Sequence, residues 1–511
     1  MSTLTHREYT AVDPVTGQQP AWRRWAALAT LMLPVLLVAI DNTVLNFALP
    51  QISLEFAASG TLLLWVIDAY PLVLAGLLVT MGSLGDRIGR RRLLLIGGTG
   101  FAALSVFAAF APSGELLVAA RAALGFFGAM LMPATLALIR NIFDDRNERR
   151  IALAIWAAGF ASGAAIGPIV GGLLLQHFAW GSVFLIAVPL LVPMLILTPI
   201  WVPESKDPNP GRLQVLDVVL SMATLAPAVL AIKTLAKQGF SATAVLALLV
   251  ALAAGAVFVR RQLTRPQPML DLKLFRYAPF TGSVLANLLA VFSLVGFLYY
   301  AAQHLQLVLG LDPLTAGLVL LPGAIAMVVA GLLVVPLVRR VPANRIVAVA
   351  LLLSAASYGI VAVVGNGASV LALMAAFVIL SIGIGAAETL SNDIIIDAVP
   401  TAKSGAAAAI SETAYEVGSV LGTAVLGSML VASYRGAVAL PAGLSAEQQQ
   451  LAHETLGGAV TVSEQLPADL AEQLLASAHH AFDSGVVYTS GLAAIIMAGA
   501  AVLAYRALRT G

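Results

Sequence analysis

Long apolar runs, broken by short polar segments rich in arginine, dominate the chain. A helix needs about 20 apolar residues to cross the hydrocarbon of a bilayer. Runs of that order cover 25–46, 61–81, 93–112, 115–138, 151–176, 181–201, 214–236, 241–259, 279–305, 313–338, 345–365, 368–396, 403–432 and 485–506. The pattern predicts fourteen transmembrane helices; a count of twelve would make two of these runs interfacial. The turn Gly365-Asn366-Gly367 divides what would otherwise be one very long run. Two connections are longer. Residues 260–278, with Pro266 and Pro268, separate spans 1–8 from spans 9–14. Residues 433–484 form a polar insert before the last span, with helix-like stretches at Ala446–Leu456 and Ala468–Phe482. It reads equally well as a solvated cap or as part of the working surface.

Lysine and arginine set the orientation, because they concentrate in cytoplasmic loops. With the N-terminus inside, 24 of the 28 fall on the inner side, among them Arg7, Arg23, Arg24, Arg87, Arg140, Arg212, Arg261, Arg339, Lys403 and Arg506. Lys233, Lys237 and Arg435 fall outside, and Arg121 lies within span 4. Dropping one span would invert every later loop and destroy this asymmetry. Residues 1–20 are polar and the first run shows no small-residue cleavage signature, so it is expected to be an uncleaved span.

Composition agrees. Hydrophobic residues make up 60% and charged residues 11%, with a mean hydropathy of +0.94; soluble domains carry roughly 25% charge. A soluble enzyme, a nucleic-acid binder and a disordered chain are thereby excluded, and an outer-membrane barrel, which needs short alternating strands, is disfavoured. The net charge of +2 implies no polyanionic partner, and without cysteine there are neither disulfides nor thiolate metal sites.

An ionisable group in hydrocarbon costs about 2.5–3.5 kcal/mol on the insertion scale, so each one asks for a reason. Asp41, Asp68 and Arg121 share a depth in the outer third. One arginine facing both carboxylates would hold one ionised and leave the other freer to take a proton; a purely structural ion pair is the alternative. Glu412 and Glu416, four apart, share a face of span 13 near mid-membrane. Two such carboxylates resist simultaneous ionisation, which suits exchange of a proton for a cation; hydrogen bonds to neighbouring backbone are the plainer alternative. Glu388 and Asp393 in the inner half of span 12 are further candidates, and Asp397 is expected at the water interface. His304, beside Gln303 and Gln306, reads as an interfacial residue rather than a proton relay. Trp65, Tyr70, Phe292, Phe297, Tyr299, Tyr300 and Tyr415 are candidate lining for a cavity that takes flat or cationic ligands.

In span 5, Gly159, Gly163, Gly167 and Gly171, with Gly172, recur at helical spacing beside Pro168, a groove for close helix contact with a permitted bend. The loop after span 2 reads Gly82-Ser-Leu-Gly85-Asp86-Arg87-Ile-Gly89-Arg90-Arg91-Arg92, a tight basic turn. That loop resembles the signature between helices 2 and 3 of the major facilitator superfamily. Gly167-Pro168-Ile-Val-Gly171-Gly172 is similar to the antiporter motif of its drug exporters, and Leu117 to Gly125, with Arg121, to their helix-4 motif. Asp41-Asn-Thr-Val-Leu-Asn-Phe-Ala-Leu-Pro50 resembles the first-helix motif of the fourteen-span drug:proton antiporter branch. Ser411 to Gly418 is similar to the acidic helix-13 motif of the QacA, SmvA and LfrA type, with Glu416 where some relatives carry aspartate.

The resemblance implies an all-α polytopic membrane protein with the major facilitator fold. It would have a tail (1–24), a six-helix bundle (25–205), two inserted helices (214–259), a linker (260–278) and a second six-helix bundle (279–511) carrying the insert. It implies a monomer in the bacterial cytoplasmic membrane, both termini cytoplasmic, exporting quaternary ammonium compounds, dyes such as ethidium and in some cases fluoroquinolones in exchange for protons. Asp41, Asp68, Glu412 and Glu416 would carry coupling and recognition, with Glu388 and Asp393 carried over loosely. No cofactor beyond the proton gradient is implied. A lipid or metabolite transporter on the same scaffold is the first rival. A membrane-embedded enzyme would need a clustered catalytic set, and no such spacing and no phosphate-binding loop occurs.

Overall fold

The computed structural model describes residues 20–206, 214–266, 268–365, 369–398 and 404–509. The N-terminal tail with Arg7, Arg212, the Asn366–Gly367 pair and Lys403 lie outside these ranges. In hydrocarbon every backbone polar group must be satisfied within the segment, so apolar runs become helices. In chain order they are α1 (Ala21–Phe56), α2 (Gly60–Ile88), α3 (Arg90–Ala109), α4 (Gly114–Ile142), α5 (Arg146–His177), α6 (Ser182–Leu185), α7 (Ala187–Trp201), α8 (Val215–Gln238) and α9 (Ala242–Thr264). After a short 3-10 turn follow α10 (Ala278–Gln303), α11 (Pro313–Leu337), α12 (Ala343–Val364), α13 (Val370–Asp397), α14 (Ser404–Gly422), α15 (Ser428–Ala437), α16 (Ala446–Glu454), α17 (Leu456–Ser463) and α18 (Ala468–Ala507). Thirteen helical stretches among the described residues are long and apolar enough to span a membrane; α5, bent by 41° between Ala164 and Ile166, makes fourteen.

The faces differ chemically. At the face opposite the arginine-rich loops, α2, α4, α9, α11 and α13 begin on Ser59, Ser113, Ser241, Asp312 and Ser369, each accepting a hydrogen bond from a first-turn N–H. Such caps satisfy donors that the helix itself leaves open. At the arginine-rich face, Gly89 (φ +109°) turns the chain from α2 into α3. A side chain there would meet the Glu204 carboxylate at 2.7 Å. Glu204 instead accepts from the Arg91 and Arg92 backbone N–H groups, and Asp86 pairs with Arg90 at 2.8 Å.

Helices α1–α7 pack on one another, as do α10–α15 with α18, while α8 and α9 form a hairpin. The halves meet where α5 lies along α11 and α2 along α14. The bend of α5 follows from Pro168, which cannot donate to the carbonyl four residues back. That carbonyl, Ala164 O, accepts instead from Thr43 Oγ1 of α1 at 3.2 Å. The hydroxyl fits because position 167 is glycine: a Cβ there would sit 1.9 Å from it.

The structure changes two expectations for the insert. Ala468–Phe482 is no separate helix but the beginning of α18, which runs unbroken for 40 residues into the last span. Additionally, α17 intervenes and packs on α1, with Ser53 and Thr455 hydroxyls 3.5 Å apart. Span 13 is interrupted by a π-turn at Thr423–Gly427, which divides α14 from α15.

Candidate functional site

Among the described residues, three charged clusters inside the helices hold the candidate acids. In the first, Arg121 of α4 is buried and its Nη1 donates to Asp41 Oδ2 at 2.7 Å. Its Nε donates to Val66 O at 3.1 Å, and its guanidinium lies 4.6 Å from the centre of the Tyr70 ring. Glycines bring these groups together. A Cβ at Gly125 would lie 2.5 Å from Tyr70 O, so only a bare backbone lets α4 approach α2 this closely.

The second cluster corrects an expectation. Arg121 does not face both aspartates; it pairs with Asp41, and buried Asp68 pairs with Lys233, whose Nζ is 2.7 Å from Oδ2. Lys233 is not an outer-face residue either, but lies buried on α8 with its ammonium 4.0 Å from the centre of the Trp65 ring. Sequence reasoning missed this partner. The available signal was its depth: Lys233 lies five residues from the end of α8, Asp68 eight residues past the start of α2, at the same face.

The third cluster spans the two halves. Glu416 of α14 is buried, and its electrostatic neighbours are Glu412 one turn away and Asn42, Asp41 and Arg121 from the first half. Its Oε2 has no hydrogen-bond partner. Glu412 is half-buried and shares the lining of a cavity of about 460 Å³ with Gly82, Gly85, Asp86, Arg90, Pro133, Arg140, Asn141 and Met269. That cavity reaches the arginine-rich face. Glu388 of α13 is an electrostatic neighbour of Glu412. Below them Asn287 Nδ2 donates to Ser411 Oγ at 3.0 Å, and Ser411 donates to Asn392.

Asp393 does not join this group; it is exposed on α13, three residues below Leu390. His304 is not interfacial but buried, with Nδ1 2.9 Å from Asp483 of α18. Of the aromatic candidates, Tyr415 bridges the halves, its ring 5.5 Å from Phe160 of α5. Phe297 and Tyr300 pack on each other at 4.8 Å, with Phe377 and Tyr358 beside Phe297, inside the second half. None of Trp65, Tyr70, Phe292, Phe297, Tyr300 and Tyr415 lines the 460 Å³ cavity.

The opposite face is closed. A Cβ on Gly172 of α5 would lie 2.6 Å from Pro313 O and 2.7 Å from Leu314 Cα of α11, and one on Gly317 2.5 Å from Pro168 O. Among the described residues, the cavity beside Glu412 opens toward the arginine-rich face. Gly172→Ala is therefore expected to disfavour this closure. The chain has no cysteine, so a single one placed at Leu314 reports the seam: its modification by a water-soluble maleimide should be faster with Gly172→Ala than without it. An unchanged rate would show that the seam absorbs a methyl group.

The family model of the Major Facilitator Superfamily matches residues 31–423. The chain belongs to this superfamily. It is 55% identical to the "Multidrug efflux pump LfrA" of Mycolicibacterium smegmatis, over 97% of this chain and 98% of that protein. It is 38% identical to the "Methyl viologen resistance protein SmvA" of Salmonella typhimurium, over 90% of this chain and 93% of that one. Among solved structures, a bacterial homologue of the lysosomal transporter Spinster superposes with a TM-score of 0.66 at 17% identity, over 96% of this chain and 98% of that chain, a likeness of fold alone. The superfamily fold accounts for the two packed halves, and the chain is a multi-pass membrane protein.

Proposed function

We propose that this protein exports lipophilic organic cations across the bacterial cytoplasmic membrane in exchange for protons, as a monomer with both termini in the cytoplasm. Its similarity to two proteins named for multidrug efflux and methyl viologen resistance supports drug export. The observation that carries the exchange is the Glu416 carboxylate. It is buried between the halves, has one oxygen without a donor, and stands one turn from Glu412 on the open cavity. A proton neutralises such a group, and so does a cation; the two occupancies exclude each other.

In this reading a cation enters from the cytoplasmic cavity past Glu412 and displaces the proton shared by the acidic set. The α5–α11 seam then opens as the inner cavity closes, the alternation expected of the fold. Protons from the outer side return to the carboxylates and release the cargo. One proton per monovalent cation is electroneutral; two would move charge worth about 2.3 kcal/mol per 100 mV.

Ethidium movement in energised inverted vesicles tests this, with a pH gradient imposed and then collapsed. Wild-type protein should move ethidium while the gradient stands and stop when it is dissipated. If neither ethidium nor a quaternary ammonium compound moves, a lipid or metabolite is the better cargo.

A further inference from the structure

Of the two helices between the halves, α8 buries two charged residues: Asp217, which pairs with Arg261 of α9 at 2.7 Å, and Lys233. Its ammonium is bracketed by the Asp68 carboxylate at 2.7 Å and the indole face of Trp65 at 4.0 Å. Thr423, in the π-turn of the second half, is a neighbour of Asp68 but donates its hydroxyl to Ser419 O at 3.4 Å, and Tyr299 is within electrostatic range of Asp68. A carboxylate beside an aromatic face is the arrangement that recognises organic cations. Here the protein's own ammonium fills it.

Stability alone explains the pair poorly. One side of the surroundings is apolar: Leu72, Val229, Val420 and Ala424 pack together with Trp65 at the edge. Replacing a buried ion pair by apolar groups of similar volume is often neutral or stabilising, so two well-packed apolar side chains would tie α8 to α2 at least as well.

We propose that Asp68 and Trp65 form a cation subsite and that Lys233 is its tethered occupant, which an exported cation must displace. This rests on the cation-export reading above and names the group with which the cargo competes. Because α8 touches α2 of the first half and α15 of the second, withdrawal of the lysine accompanies motion between the halves. An empty subsite is never left as a bare buried carboxylate.

Ethidium binding to the purified full-length protein in lipid nanodiscs, followed by fluorescence anisotropy above neutral pH, tests the proposal. Lys233→Met removes the competitor and keeps the length. It should bind ethidium roughly tenfold tighter or more, the low end of coupling measured for close charge pairs. Lys233→Arg should not. The gain should vanish when Asp68→Asn is added. Since the chain has no cysteine, Lys233→Cys can be modified alone. An aminoethyl disulfide, which restores the ammonium, should return the weaker wild-type affinity, and a methyl disulfide should not. This arm stands even where Lys233→Met fails to fold. If wild type binds ethidium and the uncharged variants bind it no more tightly, the lysine is only a tie between helices and the proposal is wrong while export stands. If no form binds ethidium, both readings fall together.

Discussion

Glu416→Gln is expected to reduce gradient-driven ethidium efflux to the leak of vesicles without the protein. The substitution keeps shape and volume, and removes the ability to alternate between a neutral and an anionic state. Glu416 is buried where α14 faces Asp41, Asn42 and Arg121 of the first half, so the change acts on the contact that must remake itself when the halves rock. Expression and thermal stability should stay near wild type, because glutamine leaves no charge to bury. Glu412→Gln serves as the comparison: half-buried on the open cavity, it should weaken cation entry while leaving a gradient-dependent residue of transport. Full gradient-driven efflux by Glu416→Gln would remove this carboxylate from the coupling mechanism.

Arg121→Met should be the most destabilising single change inside the first half. The guanidinium closes an ion pair with Asp41, donates to Val66 O and lies on the Tyr70 ring. Breaking a buried pair by removing one partner costs about 3–5 kcal/mol, because the remaining charge stays buried. The thermal unfolding midpoint in detergent should fall accordingly. Adding Asp41→Asn removes the stranded charge and should recover part of the loss, without restoring transport. A midpoint unchanged by Arg121→Met would mean that Asp41 is neutralised by something other than the arginine.

The fold was readable because hydrocarbon allows so few solutions. Fourteen apolar runs and the bias of arginine to one face lead to the helices almost directly; of the five α5 glycines singled out, four face α1 and Gly172 meets α11. The pairing of charges was not readable, since Asp41 and Asp68 share the depth of Arg121, and a lysine near a helix end can extend its four-carbon stem to the interface as well as to a carboxylate. Hydropathy cannot distinguish these. Asp483 was hidden for another reason. The polar stretch 468–484 masks the continuation of the last span, so the residue that meets His304 was assigned to the insert rather than to α18. The place of the aromatic residues of α10 was not legible, because burial in a helix core and exposure to a cavity leave the same composition.

The seam between α5 and α11 also bears on how the opposite face opens. Its closest approaches at Gly172 and Gly317 are backbone against backbone. Parting the surfaces at these two points unthreads no side chain and forfeits small dispersion contacts of about 0.1–0.2 kcal/mol each. Directional contacts between the halves lie elsewhere: Gln306 donates to Phe47 O of α1 at 3.2 Å, and the Ser53 hydroxyl of α1 stands 3.5 Å from that of Thr455, which caps α17. The door and its latch are thus separate parts, and the speed of opening can be tuned at the latch without altering the fit of the door.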